Sequence, residues 1–343
     1  MKKYILFMMG IIAAFTSCTN DDITISKAIN IKVNPSTVIA PFDFEWETGD
    51  LETFNAAYNL RIQLLIYNED GILAAKETVY GTNYATIANT NLFLPNGEYT
   101  AIAITDVVKY DKDEDKTTFS YWDLKDEAKL TSAKIEGTGY FSSERGILGL
   151  AKQKIKVTEG QNQSFTINVE PAGGLFLMTL FNPFYYSDVN RLGILVNKNA
   201  SHYGFDSNGN FNVSQETSGS DYDWWMFYLD LEDYNKESEY IYGYYFIPAM
   251  NNYRMKFVAR TDDNEYNLSS PLTMNIEKGV EYLLLLNTYD EEEGGAYMGC
   301  TPINSEVERA NPYSTTDKLL QKIGADEFTK GAINDGIYLK DVK

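Results

Sequence analysis

Thiols and imidazoles are almost missing from this chain, whose 343 residues include two cysteines and one histidine. Two cysteines cannot form a disulfide framework or a thiolate metal site. A single histidine, His202, excludes His-pair metal sites and any mechanism that needs two imidazoles. It stands in the turn-like Asn199–Gly204 stretch and reads as a loop residue, although its type can act as acid or base. Cations are also scarce: 29 Lys and Arg face 49 Asp and Glu, a formal charge of −20. Such a surface repels phosphate backbones and anionic lipid heads, so nucleic acid is not an expected partner. Helical periodicity is sparse, with short candidates only at Tyr121–Leu130, Asp221–Leu231 and Thr316–Ile323. The sequence has no Gly-x-Ser-x-Gly elbow, no phosphate-binding Gly-x-x-x-x-Gly-Lys loop and no dinucleotide glycine fingerprint. The abundant carboxylates cannot be sorted into acid–base couples without knowing their separation in space. An enzyme is not expected, and no cofactor is implied.

What the chain does have begins at its start. Lys2 and Lys3 lead into an apolar run from Tyr4 to Phe15, followed by Thr16, Ser17 and Cys18. A basic start, a short apolar stretch and a small residue before a cleavage point describe a secretory signal peptide. The run is too short for a membrane-spanning helix of roughly 20 residues. Phe15-Thr16-Ser17-Cys18 resembles a bacterial lipobox without the usual Leu three residues before the cysteine. That resemblance implies cleavage before Cys18, acylation of its thiol and attachment to the outer membrane. Thr19-Asn20-Asp21-Asp22 resembles the acidic tag of surface-exported lipoproteins of the Bacteroidetes. The other cysteine, Cys300, has no neighbouring base or cation to activate it and reads as a small buried apolar side chain.

Aromatic residues are plentiful, with 26 Tyr, 18 Phe and 4 Trp. With Thr and Val they favour strands, and runs of roughly 5–9 residues recur between Gly, Asn, Asp and Pro clusters. The expected class is all-β, two tandem β-sandwiches of Greek-key type with a few short helices. The chain exceeds the usual span of one domain, about 100–200 residues. It divides into a signal peptide (1–17), a lipidated linker (18–25), an N-terminal sandwich (26–169), a C-terminal sandwich (170–300) and a polar extension (301–343). Strands are expected at 26–33, 41–46, 60–67, 72–79, 83–87, 91–94, 98–105, 118–122, 146–157 and 163–169. Glu98–Thr105 carries apolar groups on both faces, as a central strand covered on both sides would. The second sandwich is expected to use 175–181, 191–196, 240–247, 254–260, 273–276 and 282–286. An internal echo links the halves: Val157-Thr158-Glu159-Gly160 stands beside Ile276-Glu277-Lys278-Gly279, each expected to turn the closing hairpin of its sandwich.

Leu64-Leu65-Ile66-Tyr67-Asn68-Glu69-Asp70-Gly71 and Leu92-Phe93-Leu94-Pro95-Asn96-Gly97-Glu98-Tyr99-Thr100, followed by a Pro-Ala-Gly-Gly step at 171–174, form a familiar set. Together with the lipobox cysteine they resemble the FimB-type fimbrial anchor and accessory lipoproteins of Bacteroidales, across roughly residues 25–290. The resemblance implies two transthyretin-like sandwiches in tandem, and a role in anchoring, fimbrium assembly or adhesion with fimbrial subunits or host surface proteins as partners.

Two candidate sites and one candidate strand remain. Asp111, Asp113 and Asp115 sit at positions 1, 3 and 5 of an acidic run, as in a calcium loop, but position 6 is Lys116 and position 12 is Trp122. A solvated charge run fits the same residues. Tyr222, Trp224 and Trp225, in Asp221–Tyr228, could stack on sugar faces; filling a sandwich core is the other use of such rings. Adjacent residues of a strand face opposite ways, so one of the two tryptophans is expected outside. Gly336–Val342 could be donated as a strand to a neighbouring subunit. Two functions compete: a fimbrial anchor or adhesin working through protein contacts, and a glycan-binding surface lipoprotein of a polysaccharide-uptake system. Two seven-strand transthyretin-like sandwiches would favour the first, serial immunoglobulin-like modules the second.

Overall fold

The computed structural model describes residues 27–34, 59–81, 89–137, 147–158, 163–181, 189–217, 224–233, 240–261, 266–269, 272–287, 297–303 and 337–340. The expected strands at 41–46 and 83–87, the candidate helix Thr316–Ile323 and residues 1–26 lie outside the described residues, apart from strands entered at their edges. The first half contains β1 (Lys27–Asn34), β2 (Asn59–Tyr67), β3 (Leu73–Gly81), β4 (Asn89–Leu94), β5 (Gly97–Asp111), β6 (Lys116–Ser120), β7 (Trp122–Lys125), β8 (Lys134–Gly137), β9 (Leu148–Val157) and β10 (Gln163–Asn168). The short β11 (Glu170–Pro171) leads to β12 (Gly173–Phe181), β13 (Val189–Val196), β14 (Lys198–Phe205), β15 (Phe211–Thr217) and β16 (Trp224–Asp230). Then come β17 (Tyr240–Pro248), β18 (Met250–Thr261), β19 (Tyr266–Ser269), β20 (Leu272–Ile276), β21 (Glu281–Asn287), β22 (Tyr297–Ile303) and β23 (Ile337–Lys340).

The first half is a sandwich of two sheets, β10-β1-β4 and β9-β5-β2-β3. β6 extends the second sheet beside β5, and β11 lies beside β9. The second half repeats that order strand for strand: β21-β12-β17 faces β20-β18-β13-β16, and β19 lies beside β18 as β6 lies beside β5. In each half the last of these strands runs parallel to the first, β10 to β1 and β21 to β12, while the other sandwich neighbours pair antiparallel. This corrects one expectation. Glu159-Gly160 lies outside the described residues, but the strands on either side do not form hairpins: β9 and β10 belong to different sheets, and β20 pairs with β18 while β21 pairs with β12. The echo itself is sound, for each segment falls between corresponding strands of the two halves.

Apolar alternation sets each core. Ile29, Ile31 and Val33 of β1 pack inward against β2 and β5. Asn59–Tyr67 is buried along its whole length, as is β5 from Tyr99 to Val108, which lies between β2 and β9. Each buried Leu or Ile there stabilises the fold by about 1.5–3 kcal/mol. The turn between β2 and β3 is held by Asn68, whose side-chain oxygen accepts the Ile72 N–H at 2.9 Å, with Gly71 at φ +71°. A second core fills the other half around Phe176, Met178, Ile194, Met255, Phe257 and Leu284.

Two inserted pieces depart from the repeat. Between β6 and β9 the first half adds β7 and β8; between β13 and β16 the second half adds the hairpin β14–β15. These pieces find each other, forming the four-stranded sheet β15-β14-β8-β7 with His202, Tyr203 and Gly204 opposite Glu136, Ile135 and Lys134. Tyr203 and Phe205 are thereby buried in the first core, Tyr203 edge-on to Trp122 with ring centroids 5.7 Å apart. The turn 206–210 presses on β5 and β9: a Cβ on Gly209 (φ +77°) would lie 2.9 Å from Thr100 Cγ2. Asp206 folds that turn, its carboxylate accepting the Asn208 and Asn210 N–H groups, each at 2.8 Å, and the Asn210 amide at 2.7 Å.

Three further expectations change. Among the described residues there is no α-helix, only a 3-10 turn at Leu231–Asp233. The helix candidates Tyr121–Leu130 and Asp221–Leu231 supply β7 and β16, because short apolar spacings satisfy either period and sheet partners decided the outcome. His202 lies in a strand, not a turn. The segment between the expected strands 98–105 and 118–122 is mostly hairpin, with β5 running on to Asp111 before β6 starts at Lys116. At the other end, β23 pairs with β19 on one side and β22 on the other, joining the two sheets of the second half. The candidate donor strand is thus engaged within its own chain.

Candidate functional site

The rim of the second half offers the most developed surface cluster among the described residues. β16 is the last strand of its sheet and pairs only with β13 among them, so one side of its backbone is an open edge. A bulge between Ile194 and Leu195 places Met226 as an extra residue on β16. Met226 and Leu229 are buried, whereas Tyr228 is 48% exposed. The Arg191 guanidinium lies 4.1 Å from the Tyr228 ring centroid. The same guanidinium grips Asp230 with two bonds, Nε to Oδ1 at 2.5 Å and Nη2 to Oδ2 at 2.8 Å. That grip holds the Asp230 carboxyl below its usual range. Arg260 on β18 donates to Asn190 Oδ1 at 3.1 Å nearby. A ring backed by a fixed guanidinium beside an open strand edge is what a protein partner can seat upon, since Tyr and Arg dominate interface energetics.

The tryptophans singled out in the sequence share strand β16 with this cluster. Trp224 and Trp225 lie on β16 opposite Val196 and Leu195, but their side chains and Tyr222 lie outside the described residues. Arg191, Tyr228 and Asp230 were not foreseen. The available signal was an Arg opening one apolar strand and an Asp closing another of similar length.

The acidic run at the β5–β6 turn is occupied by its own backbone. Asp111 Oδ1 accepts the N–H groups of Asp113 at 2.9 Å and Glu114 at 3.1 Å. Asp115 accepts the Tyr110 hydroxyl, which pushes the phenol up to about 12. Lys116 pairs with Glu114. Among the described residues no group of three or more His, Cys, Asp and Glu is placed to hold a metal ion. Cys300 sits on β22 opposite Leu284, packed against the second core, and burial pushes its thiol up, away from reactivity. Cys18 lies outside the described residues.

No known protein family and no curated protein matches this sequence. Solved structures similar to it include a candidate polysaccharide-binding protein of Bacteroides thetaiotaomicron, with 10% identity, coverage of 82% of this chain and 99% of that one, and a TM-score of 0.46. A candidate adhesin of Bacteroides ovatus has 11% identity, 82% and 97% coverage and a TM-score of 0.45. A fimbrial anchor protein of Porphyromonas gingivalis has 9% identity, 81% and 98% coverage and a TM-score of 0.39. A fimbrial anchor is the kind of protein that the sequence motifs resemble.

Proposed function

We propose that this chain is a lipid-anchored outer-membrane protein, exposed at the cell surface, that anchors or helps assemble a fimbria-like polymer through protein contacts. The observation that carries the reading is the repeated strand order, two seven-strand sandwiches in each of which the last strand lies parallel to the first. Tandem sandwiches of that kind are what the fimbrial resemblance implies. Two further points support it. Cys18 precedes β1 by nine residues, a leash of at most ~30 Å from lipid to first strand. The β16 edge, with Tyr228 held against Arg191, supplies a protein-docking rim far along the chain from that leash. The test has two parts. Cys18→Ala is expected to abolish acylation seen by mass spectrometry and to release the protein from the membrane fraction. A photo-crosslinking residue at position 228 is expected to capture a repeating surface subunit on intact cells. Acylation elsewhere, or a residue-228 adduct only with lipid or with nothing, overturns the proposal.

A further inference from the structure

The outer face of β10-β1-β4 is unlike the rest of this acidic molecule. Inward positions of β1 are Ile29, Ile31 and Val33; outward ones are Ala28, Asn30, Lys32 and Asn34. β4 alternates the same way, burying Thr90, Leu92 and Leu94 and exposing Asn89, Asn91 and Phe93. β10 turns Ser164, Thr166 and Asn168 outward. Register aligns these side chains in rows. Asn91, Asn30 and Ser164 form one row, in which the Asn30 amide donates to Asn91 Oδ1 at 3.0 Å and the Ser164 hydroxyl to Asn30 Oδ1 at 3.4 Å. Asn34 donates to Asn168 Oδ1 at 3.1 Å in another. Two residues along from Asn91, about 6.8 Å away on an extended strand, stands Phe93, 70% exposed and opposite Ala28. Among the described residues the face therefore holds fixed amides and hydroxyls, a bare ring beside a small residue, one cation in Lys32 and no carboxylate.

The chemistry of this face selects its occupant. Its single cation gives no purchase on an acidic polymer, and the lack of carboxylates gives none on a metal. Protein interfaces are enriched in aromatic and arginine side chains, and this face has one ring and, unlike the β16 rim, no arginine beside it. A neutral sugar chain needs what is present: a flat ring to stack on, and amides already oriented by their neighbours, each with donors and acceptors remaining for vicinal hydroxyls. Rows about 6.8 Å apart along the strands, on strands about 4.8 Å apart, match objects of sugar-ring size. The equivalent strands of the second half place Leu177 and Leu283 at the corresponding register, so the amide rows are not dictated by the fold. We propose that this face binds a neutral polysaccharide, with Phe93 stacked on a sugar ring and Asn91 and Asn30 meeting its hydroxyls. The site goes beyond the fimbrial reading and does not depend on it.

The test is affinity electrophoresis of the full chain, solubilised in detergent, in gels containing mannan, xyloglucan, mixed-linkage β-glucan or acidic polygalacturonan. Retardation by at least one neutral polymer and none by polygalacturonan is expected. Phe93→Ala should weaken it at least tenfold, Asn91→Ala about three- to tenfold, and Phe93→Tyr should retain it. The thermal midpoint of Phe93→Ala should match that of the parent, since the ring is exposed. The proposal is overturned if no neutral polymer retards the protein, if only polygalacturonan does, or if Phe93→Ala binds as well as the parent. It is also overturned if the Phe93 variant changes the oligomeric mass instead, which would mark the face as a protein contact.

Discussion

Each half of the molecule contains an arginine and an aspartate facing one another across antiparallel strands, Arg61 with Asp106 and Arg191 with Asp230. The hydrogen-bonding pattern is the same fork in both, and the surroundings are opposite. The first pair is sealed, with side chains 8% and 0% exposed, whereas the second lies at the rim, at 21% and 28%. Arg61 spends further donors on Ser120 Oγ and the Trp122 carbonyl, both at 2.7 Å, so it ties β2 and β5 to the inserted β7. Arg191 instead lies against an exposed ring. Burial pushes the Asp106 carboxyl up against the opposing pull of Arg61, while at the rim the pull of Arg191 wins and the Asp230 carboxyl falls. One chemistry thus becomes a fold-specifying lock in one half and a surface fixture in the other.

The largest effect should come from breaking the lock. Asp106→Asn leaves a buried guanidinium without its counter-charge and is expected to cost ~3–5 kcal/mol in urea denaturation. The double change Arg61→Met with Asp106→Leu should recover most of that, because an apolar pair of similar volume has no charge to desolvate. If Asp106→Asn and Asp230→Asn cost the same, burial is not what separates the two pairs. Gly209→Ala comes next, at ~1–3 kcal/mol, from positive φ and the crowding of Thr100. Its cost should appear in the first half, as faster amide exchange at 134–137, although residue 209 belongs by sequence to the second. Asp230→Asn should cost only ~0–1 kcal/mol.

The smallest effect is in pH dependence, and it is read at the rim pair. Asp230 has a lowered pKa in the folded state. It therefore adds stability above the ordinary carboxylate value, and that stability is lost as pH falls through the lowered one. Acid titration of stability should flatten in Asp230→Asn; a steeper acid loss in that variant would refute the assignment.

Much of the repeat could be read from the residues. The Asp70-Gly71 turn, the doubly covered Glu98–Thr105 strand and the 240–247 and 282–286 strands each show in local pattern, because alternation and turn chemistry act over a few residues. What stayed hidden depends on distant pairing. Nothing near His202 announces that its strand will meet Glu136, sixty-six positions earlier. The Arg61–Asp106 lock had one faint signal, the lone charge of the mostly apolar Leu60–Tyr67 run, but not its partner. The candidate surface was legible only as an aromatic segment; that Tyr228 is offered to solvent beside the buried Leu229, with a bulge at Met226, depends on the pairing with β13.

The meeting of the two inserted pieces has a consequence for how the protein is made. Trp122 leaves the ribosome about eighty residues before Tyr203, the ring that covers its edge. At roughly 5–20 residues per second, the early half waits several seconds with an indole and a strand edge uncovered. A chaperone that holds the chain through that interval would guard the part of the molecule most prone to stray pairing, and the late hairpin would release it.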